Sequence, residues 1–158
     1  MNTDTNTNYE LLTKQLESLL SGERNLLTNL SQFVALVYNN LPELNWAGFY
    51  IKGAEEQLKL GPFQGQVACT TIAIGNGVCG TSANNKESVL VDDVDQFKGH
   101  IACDSRSRSE LVCPVVLDGD LWGVFDLDSP QLARFDQHDQ CGVEELIKVL
   151  IRSTDWNV

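Results

Sequence analysis

An α+β fold, with a central antiparallel sheet flanked by helices, is predicted by three observations in this 158-residue chain. Two helical apolar stripes come first, strand-period segments joined by turns fill the middle, and one further helical stripe closes the chain. Each element has one apolar face, and a sheet covered by helices buries all of them at once. No repeat, linker or composition break divides the chain. Residues 1–8 therefore read as a polar tail and residues 9–158 as a single domain.

Taken in order, Tyr9 to Leu20 places Leu12, Leu16 and Leu19/Leu20 on one side of a helix before Ser21-Gly22 interrupts it. A second helix is expected from about Glu23 to Asn39, with Leu26/Leu27, Leu30, Phe33/Val34 and Val37 as its stripe and Pro42 marking its exit. At Asn45 the period changes to two. In WAGFYI, Trp46, Gly48 and Tyr50 share one face, and Ala47, Phe49 and Ile51 the other. GAEEQ turns the chain into LKLGPF, which completes a hairpin. The glycine-rich CTTIAIGNGVCGTSA follows with tight backbone paths and a short helix start, and it lacks the GxxxxGK[ST] pattern of a nucleotide phosphate loop. SVLV is a strand, DDVDQFKGHIACDSRSRS a long loop, and ELVCPVVL and DLWGVFDLD a second hairpin about Asp118-Gly119. Asp136 is the expected cap of the last helix, with Asp139 in its first turn and Val143, Leu146/Ile147 and Leu150 facing inward.

Composition narrows the function. With 11 Lys+Arg against 22 Asp+Glu the formal charge is −11, so a nucleic-acid backbone is not expected as a partner. No apolar run approaches the length of a membrane span, and the polar start MNTDTNTNYE lacks the pattern of a secretory signal, which points to the cytoplasm. In that compartment the five cysteines are read by their reactivity rather than as a permanent disulfide scaffold.

Cys103 is the best candidate nucleophile, since Arg106 and Arg108 offer local positive charge that would favour a thiolate. Cys69 and Cys79 stand ten positions apart, in neither a CxxC redox spacing nor a compact zinc spacing. Cys113, within a strand, and Cys141, at the start of the last helix, read as packing residues. Trp46 and Tyr50 share a face and can form an aromatic wall. Asp126 and Asp128 share a face by the two-residue repeat, together with Trp122 and Val124, and Glu110 stands on the neighbouring strand. Such carboxylates can bind an ammonium, and crowding in partial burial would leave one of them protonated. His100 and His138 lack a metal-ligand spacing; His100 can shape the reactive loop but reads first as a residue making a surface hydrogen bond, and His138, near the start of the last helix, reads as structural.

The ordered passages NWAGFY, LGPFQG, CTTIAIGNGVCG, GHIACDSRSRSELVCP and GVFDLDSP together resemble the GAF-domain free methionine-(R)-sulfoxide reductases over nearly all of the folded chain. The resemblance implies a GAF fold, generally a homodimer, and reduction of free methionine-(R)-sulfoxide with thioredoxin as the reductant and no tightly bound cofactor or metal. It assigns Cys103 as the reactive cysteine and Cys69 as its resolving partner. It gives Cys79 a third redox role, as auxiliary resolver or as attacking thiol. Trp46, Tyr50, Glu110, Asp126 and Asp128 fall around the substrate, with ammonium binding and proton delivery undivided among the three acids. The alternative is a noncatalytic GAF module that senses a small ligand, which would need a pocket but no convergent cysteines.

Overall fold

A computed structural model describes residues 6–100, 103 and 105–157; Ile101, Ala102 and Asp104 of the GHIACDSRSRSELVCP passage, and residues 1–5 of the expected tail, lie outside the described residues. Helices α1 (Tyr9–Leu20) and α2 (Leu26–Asn40) lead into strands β1 (Trp46–Lys52), β2 (Gln57–Gly65) and β3 (Thr71–Ala73). Helix α3 (Gly77–Asn85), strands β4 (Val89–Val91), β5 (Ser109–Leu117) and β6 (Asp120–Ser129) and helix α4 (Gln137–Ser153) complete the chain. All strand pairings are antiparallel, in the order β3-β2-β1-β6-β5-β4. The predicted α+β architecture is the observed one.

Helix boundaries follow their caps. Asn8 accepts from Leu11 N–H and starts α1, while Asn25 accepts from Thr28 N–H and starts α2 three residues after the expected Glu23. Glu23 lies ahead of that cap and instead accepts from Asn25 N–H at 2.9 Å. Within the adjacent leucine pairs only one member turns inward: Leu20 is buried while Leu19 is exposed, and Leu26 packs on the core while Leu27 stays in solvent. Asp136 caps α4 as expected, in a reciprocal capping box with Asp139.

One face of the sheet carries the larger core. Ala47, Phe49, Leu111, Cys113, Val115, Phe125 and Leu127 pack there against the apolar stripes of α1, α2 and α4. The Phe49 and Phe125 rings meet at 4.9 Å, and each contacts Phe33 of α2. Between α1 and α4, Tyr9 Oη donates to Asp139 Oδ1 at 2.6 Å and Arg134 Nη1 donates to Asp139 Oδ2 at 3.1 Å, so the capping acid also fastens the two helices together. Gly142 faces the buried Tyr9 ring so closely that a Cβ there would overlap ring atoms. Gly142→Ala is therefore expected to destabilise the protein by about 1–3 kcal/mol despite the better helix propensity of alanine, through overpacking. The shift of the urea midpoint at unchanged slope would measure this.

The opposite face is covered by α3 and by the loops that follow β2 and β4. Trp46, Tyr50, Leu58, Ile72, Val78, Cys79, Val112 and Val124 form a second, smaller apolar cluster there. The two strand faces of β1 thus separate as its alternation predicts: Ala47 and Phe49 enter the main core, and Trp46 and Tyr50 the second cluster.

Candidate active site

The register of three strands builds the site. Trp46 on β1 lies opposite Asp128 on β6, and Asp128 in turn lies opposite Glu110 on β5. In the next same-face row, Gly48 pairs with Asp126 and Asp126 with Val112. One aromatic ring and three carboxylates from residues 46 to 128 are thereby placed on a single face. Gly48 makes the aromatic wall possible, because a Cβ at that position would press into Phe63 and the Trp46 indole. Without it, Trp46 stacks between Tyr50 at 5.8 Å and Phe63 at 5.4 Å.

The polar ends of these aromatics hold a loop. Trp46 Nε1 donates to Gln66 O at 3.1 Å, and Tyr50 Oη donates to Cys69 O at 2.9 Å. The segment carrying Cys69 is thus tied to β1. A disulfide joins Cys69 to Cys103, 34 residues later, with Cα atoms 5.5 Å apart. Of the two, Cys103 lines the cavity, together with Trp46, Tyr50, Cys79, Glu110, Asp126 and Asp128.

Glu110, Asp126 and Asp128 are only 5%, 5% and 8% exposed, too dry for three free carboxylates. Burial first, and then the neighbouring Asp126 and Asp128, push Glu110 well above the ordinary carboxylate range. Burial also raises Asp126, with hydrogen bonds from Glu110 and Asp128 opposing it in part. Protons are therefore retained in this group at pH values where a solvated carboxyl would have lost them. Cys79, whose Sγ lies 3.9 Å from Glu110 Oε1, is raised by burial and then by Asp126 and Glu110, so its thiol stays neutral. The same burial, reinforced by Asp126, raises the Tyr50 hydroxyl. Donor atoms of Cys79, Glu110 and Asp126 lie within 4.8 Å of one another, but as a proton-holding group they are the reverse of the deprotonated set a metal requires.

All eight residues singled out from sequence line this one cavity except Cys69, which is bonded to Cys103 beside it. Two sequence readings of the loop around Cys103 can be set against the structure. Arg106 and Arg108 are exposed and do not line the cavity. His100 does, with its side chain largely buried and Nε2 3.9 Å from Glu110 Oε2, so the surface reading of His100 is corrected. Its position three residues before Cys103 in the same loop was the available signal. Ser107, held by Asn45 Nδ2 at 3.0 Å, Asn76 at the cap of α3 and Gly77 and Val78 in its first turn are further cavity residues not singled out from the sequence.

Trp122 is also corrected. Between the pairs Val115–Gly123 and Val116–Leu121 the register shifts, leaving Trp122 as the extra residue of a bulge. Its ring turns to the other face of the sheet, against Phe49 and Trp156. Val124 stays on the cavity face as expected. Cys113 is a buried core residue whose thiol burial pushes up to about 12, whereas Cys141 is exposed rather than packed. His138 Nε2 meets Thr7 O at 3.0 Å on the surface, tying the start of α4 to the residues before α1.

The chain matches the GAF domain family over residues 6–151. It is 40% identical over 151 residues to the free methionine-R-sulfoxide reductase of Escherichia coli (strain K12), covering 94% of this chain and 91% of that one. Among solved structures, the reduced form of fRMsr of Staphylococcus aureus superimposes with a TM-score of 0.91 at 45% identity, covering 97% of this chain and 99% of the other. The free methionine-R-sulfoxide reductase of Neisseria meningitidis in complex with its substrate superimposes with a TM-score of 0.88 at 40% identity, over 92% and 87% of the two chains. Fold, register and likeness over almost the whole length agree: the chain belongs to the GAF-domain free methionine-(R)-sulfoxide reductase family.

Proposed function

We propose that this protein reduces free methionine-(R)-sulfoxide to methionine, with Cys103 as nucleophile, Cys69 as resolving thiol and the buried carboxyl group as ammonium site and proton source. The observation that carries this reading is the Cys69–Cys103 disulfide set against a cavity that Cys103 shares with two aromatics and three buried acids. A noncatalytic ligand sensor has no use for two cysteines brought together from positions 34 residues apart at such a pocket.

In the reduced enzyme the Cys103 thiolate attacks the sulfoxide sulfur while a carboxylic acid of the Glu110/Asp126/Asp128 group protonates the oxygen. The S–O bond breaks as a Cys103–sulfur bond forms, and water then cleaves that bond at the cysteine sulfur. One methionine and one Cys103 sulfenic acid result. Cys69 attacks the sulfenic sulfur, expels water and forms the disulfide. Cys79 fits the attacking role less well than Cys103, because its buried thiol beside carboxylates resists ionisation. It remains adjacent to the group as a second thiol. Thioredoxin as the dithiol that reopens the disulfide, and assembly as a homodimer, are parts of the same proposal. The described residues include no helix long and apolar enough to cross a membrane.

The buried acids also favour a free amino acid over a peptide. A free substrate brings an ammonium to groups that are nearly fully enclosed, whereas a peptide nitrogen is neutral and leaves them uncompensated. The test is methionine release, with a dithiol reductant, from three substrates: the free R sulfoxide, the free S sulfoxide and an R sulfoxide within a peptide. The first should be turned over and the other two should lose roughly 10²-fold or more in kcat/KM. Equal turnover of the peptide would remove the proposed substrate class.

A further inference from the structure

The loop between β4 and β5 carries Cys103, and hydrogen bonds pin both of its ends. Val94 N–H donates to Arg108 O at 2.9 Å, Arg108 N–H donates to Ser129 O at 2.7 Å, and Asn45 Nδ2 donates to Ser107 Oγ at 3.0 Å. Phe97 N–H donates to Val94 O at 3.1 Å and His100 N–H to Phe97 O at 3.2 Å, a pair of turns that delivers His100 to the cavity. Between these ends little burial fixes the chain, since Lys98, Gly99, Ser105 and Arg106 are exposed. Cys103 is held to Cys69 by the disulfide, and three residues ahead of it His100 Nε2 stands 3.9 Å from Glu110 Oε2.

The disulfide cannot be what places Cys103 for attack, because it must be open when the thiolate reacts. The His100 contact does not depend on it. The His100 side chain is only 15% exposed, against a Glu110 side chain at 7%, and a ring so enclosed needs a polar partner. Glu110 comes from β5 and Asp126 and Asp128 from β6, while Cys79 of α3 and Tyr50 of β1 complete the titratable groups of the wall it faces. Burial raises Asp126 and His100 is among the influences that oppose it, so the ring and the acids share one field. At 3.9 Å the pair is about 1 Å beyond direct hydrogen-bond length, a gap that a side-chain rotation closes. Three residues of chain span at most about 11 Å, so a ring fixed at Glu110 confines Cys103 to the edge of the cavity.

We infer that His100 is a positioning residue for Cys103: by its contact with Glu110 it holds the reactive loop against the cavity while the Cys69–Cys103 disulfide is open. This assignment rests on the proposed reaction and adds the element that keeps the nucleophile in place between turnovers. It has a thermodynamic consequence that chemistry at the substrate does not share. The His100–Glu110 contact and the disulfide favour the same placement of the loop, so each strengthens the other by one common factor. Removing the ring should therefore make the disulfide easier to reduce, although His100 touches neither sulfur's bond.

The experiment compares wild type, His100→Ala and His100→Gln in two measurements. The first is the equilibrium in which dithiothreitol takes up the Cys69–Cys103 disulfide, giving the protein dithiol and cyclic oxidised dithiothreitol. His100→Ala should lower the stability of the disulfide about 10-fold, a rise of about 30 mV in its potential. The second is the rate of the first equivalent of methionine from the reduced protein and free methionine-(R)-sulfoxide. His100→Ala should slow it roughly 10-fold at saturating substrate while the half-saturating concentration changes less than about 3-fold, because the nucleophile is misplaced and the pocket is intact. His100→Gln, whose amide can still donate to Glu110, should recover most of both losses. An unchanged disulfide equilibrium in His100→Ala, or a glutamine variant no better than alanine, would overturn the positioning role while the reductase reading stands. If wild type forms no methionine from the free R sulfoxide, the reductase reading fails and the positioning role that rests on it falls too.

Discussion

Cys103→Ser should abolish methionine formation from the free R sulfoxide, lowering kcat/KM by roughly 10³-fold or more, because no remaining thiol in the cavity combines access with a tendency to ionise. Cys79 lines the same cavity, but burial and the adjacent acids keep its proton on. Cys69→Ser should behave differently. Its first turnover requires only Cys103, so one equivalent of methionine should still appear, after which recycling slows and an oxidised Cys103 accumulates. Rapid-quench measurement of the first equivalent, with intact mass of the protein to detect the added oxygen, separates the two roles. Full steady-state turnover by Cys103→Ser would transfer the nucleophile elsewhere and remove the meaning attached to the disulfide.

Glu110→Gln should cost about 10²–10⁴-fold in kcat, the range of a removed general acid, and Asp126→Asn should impair both ammonium binding and the shared proton. The pH dependence has a definite sign. Burial and neighbouring carboxylates raise Glu110, and burial raises Asp126, so the acid form of the pair persists above the ordinary carboxylate range. Activity dependent on that proton should decline on the alkaline side as the coupled group ionises, a limb that Glu110→Gln should change. Stability follows the same linkage. A raised folded pKa means a contribution fully present below the unfolded value of about 4 and lost as pH rises through the folded value. Asp126→Asn and Glu110→Gln should therefore melt close to wild type at pH 4 and above it at pH 8, by about 2–4 °C for each kcal/mol of charge burial relieved. Thermal melts of the three proteins across that range check it. A wild type that gains stability steadily with pH, together with variants that offer no alkaline advantage, would show that these carboxyls are solvated.

Much of this was legible in the residues themselves, where the information is local. Alternation along β1 separates Trp46 and Tyr50 from Ala47 and Phe49, and the two-residue repeat puts Asp126 and Asp128 on one face, because consecutive side chains of a strand point to opposite sides. The caps at Asn8, Asn25 and Asp136 depend on hydrogen bonds to residues three positions away. Even so, sequence could not say that Asn25 would start α2 instead of Glu23, since both residues can accept a hydrogen bond from a nearby N–H.

What the chain determined alone was the order of its elements, the faces of its strands and the identity of its reactive side chains. Tertiary structure decided which of these meet. Glu110, Asp128 and Trp46 fall in one row through the register of three strands, and Trp122 leaves that face because a single bulge residue reverses the alternation. His100 reached Glu110 and Cys141 stayed in solvent for the same reason. Pairing between distant segments depends on loop closure and register, which are settled by burying whole faces together, and no local spacing encodes the distance between two sulfurs 34 residues apart.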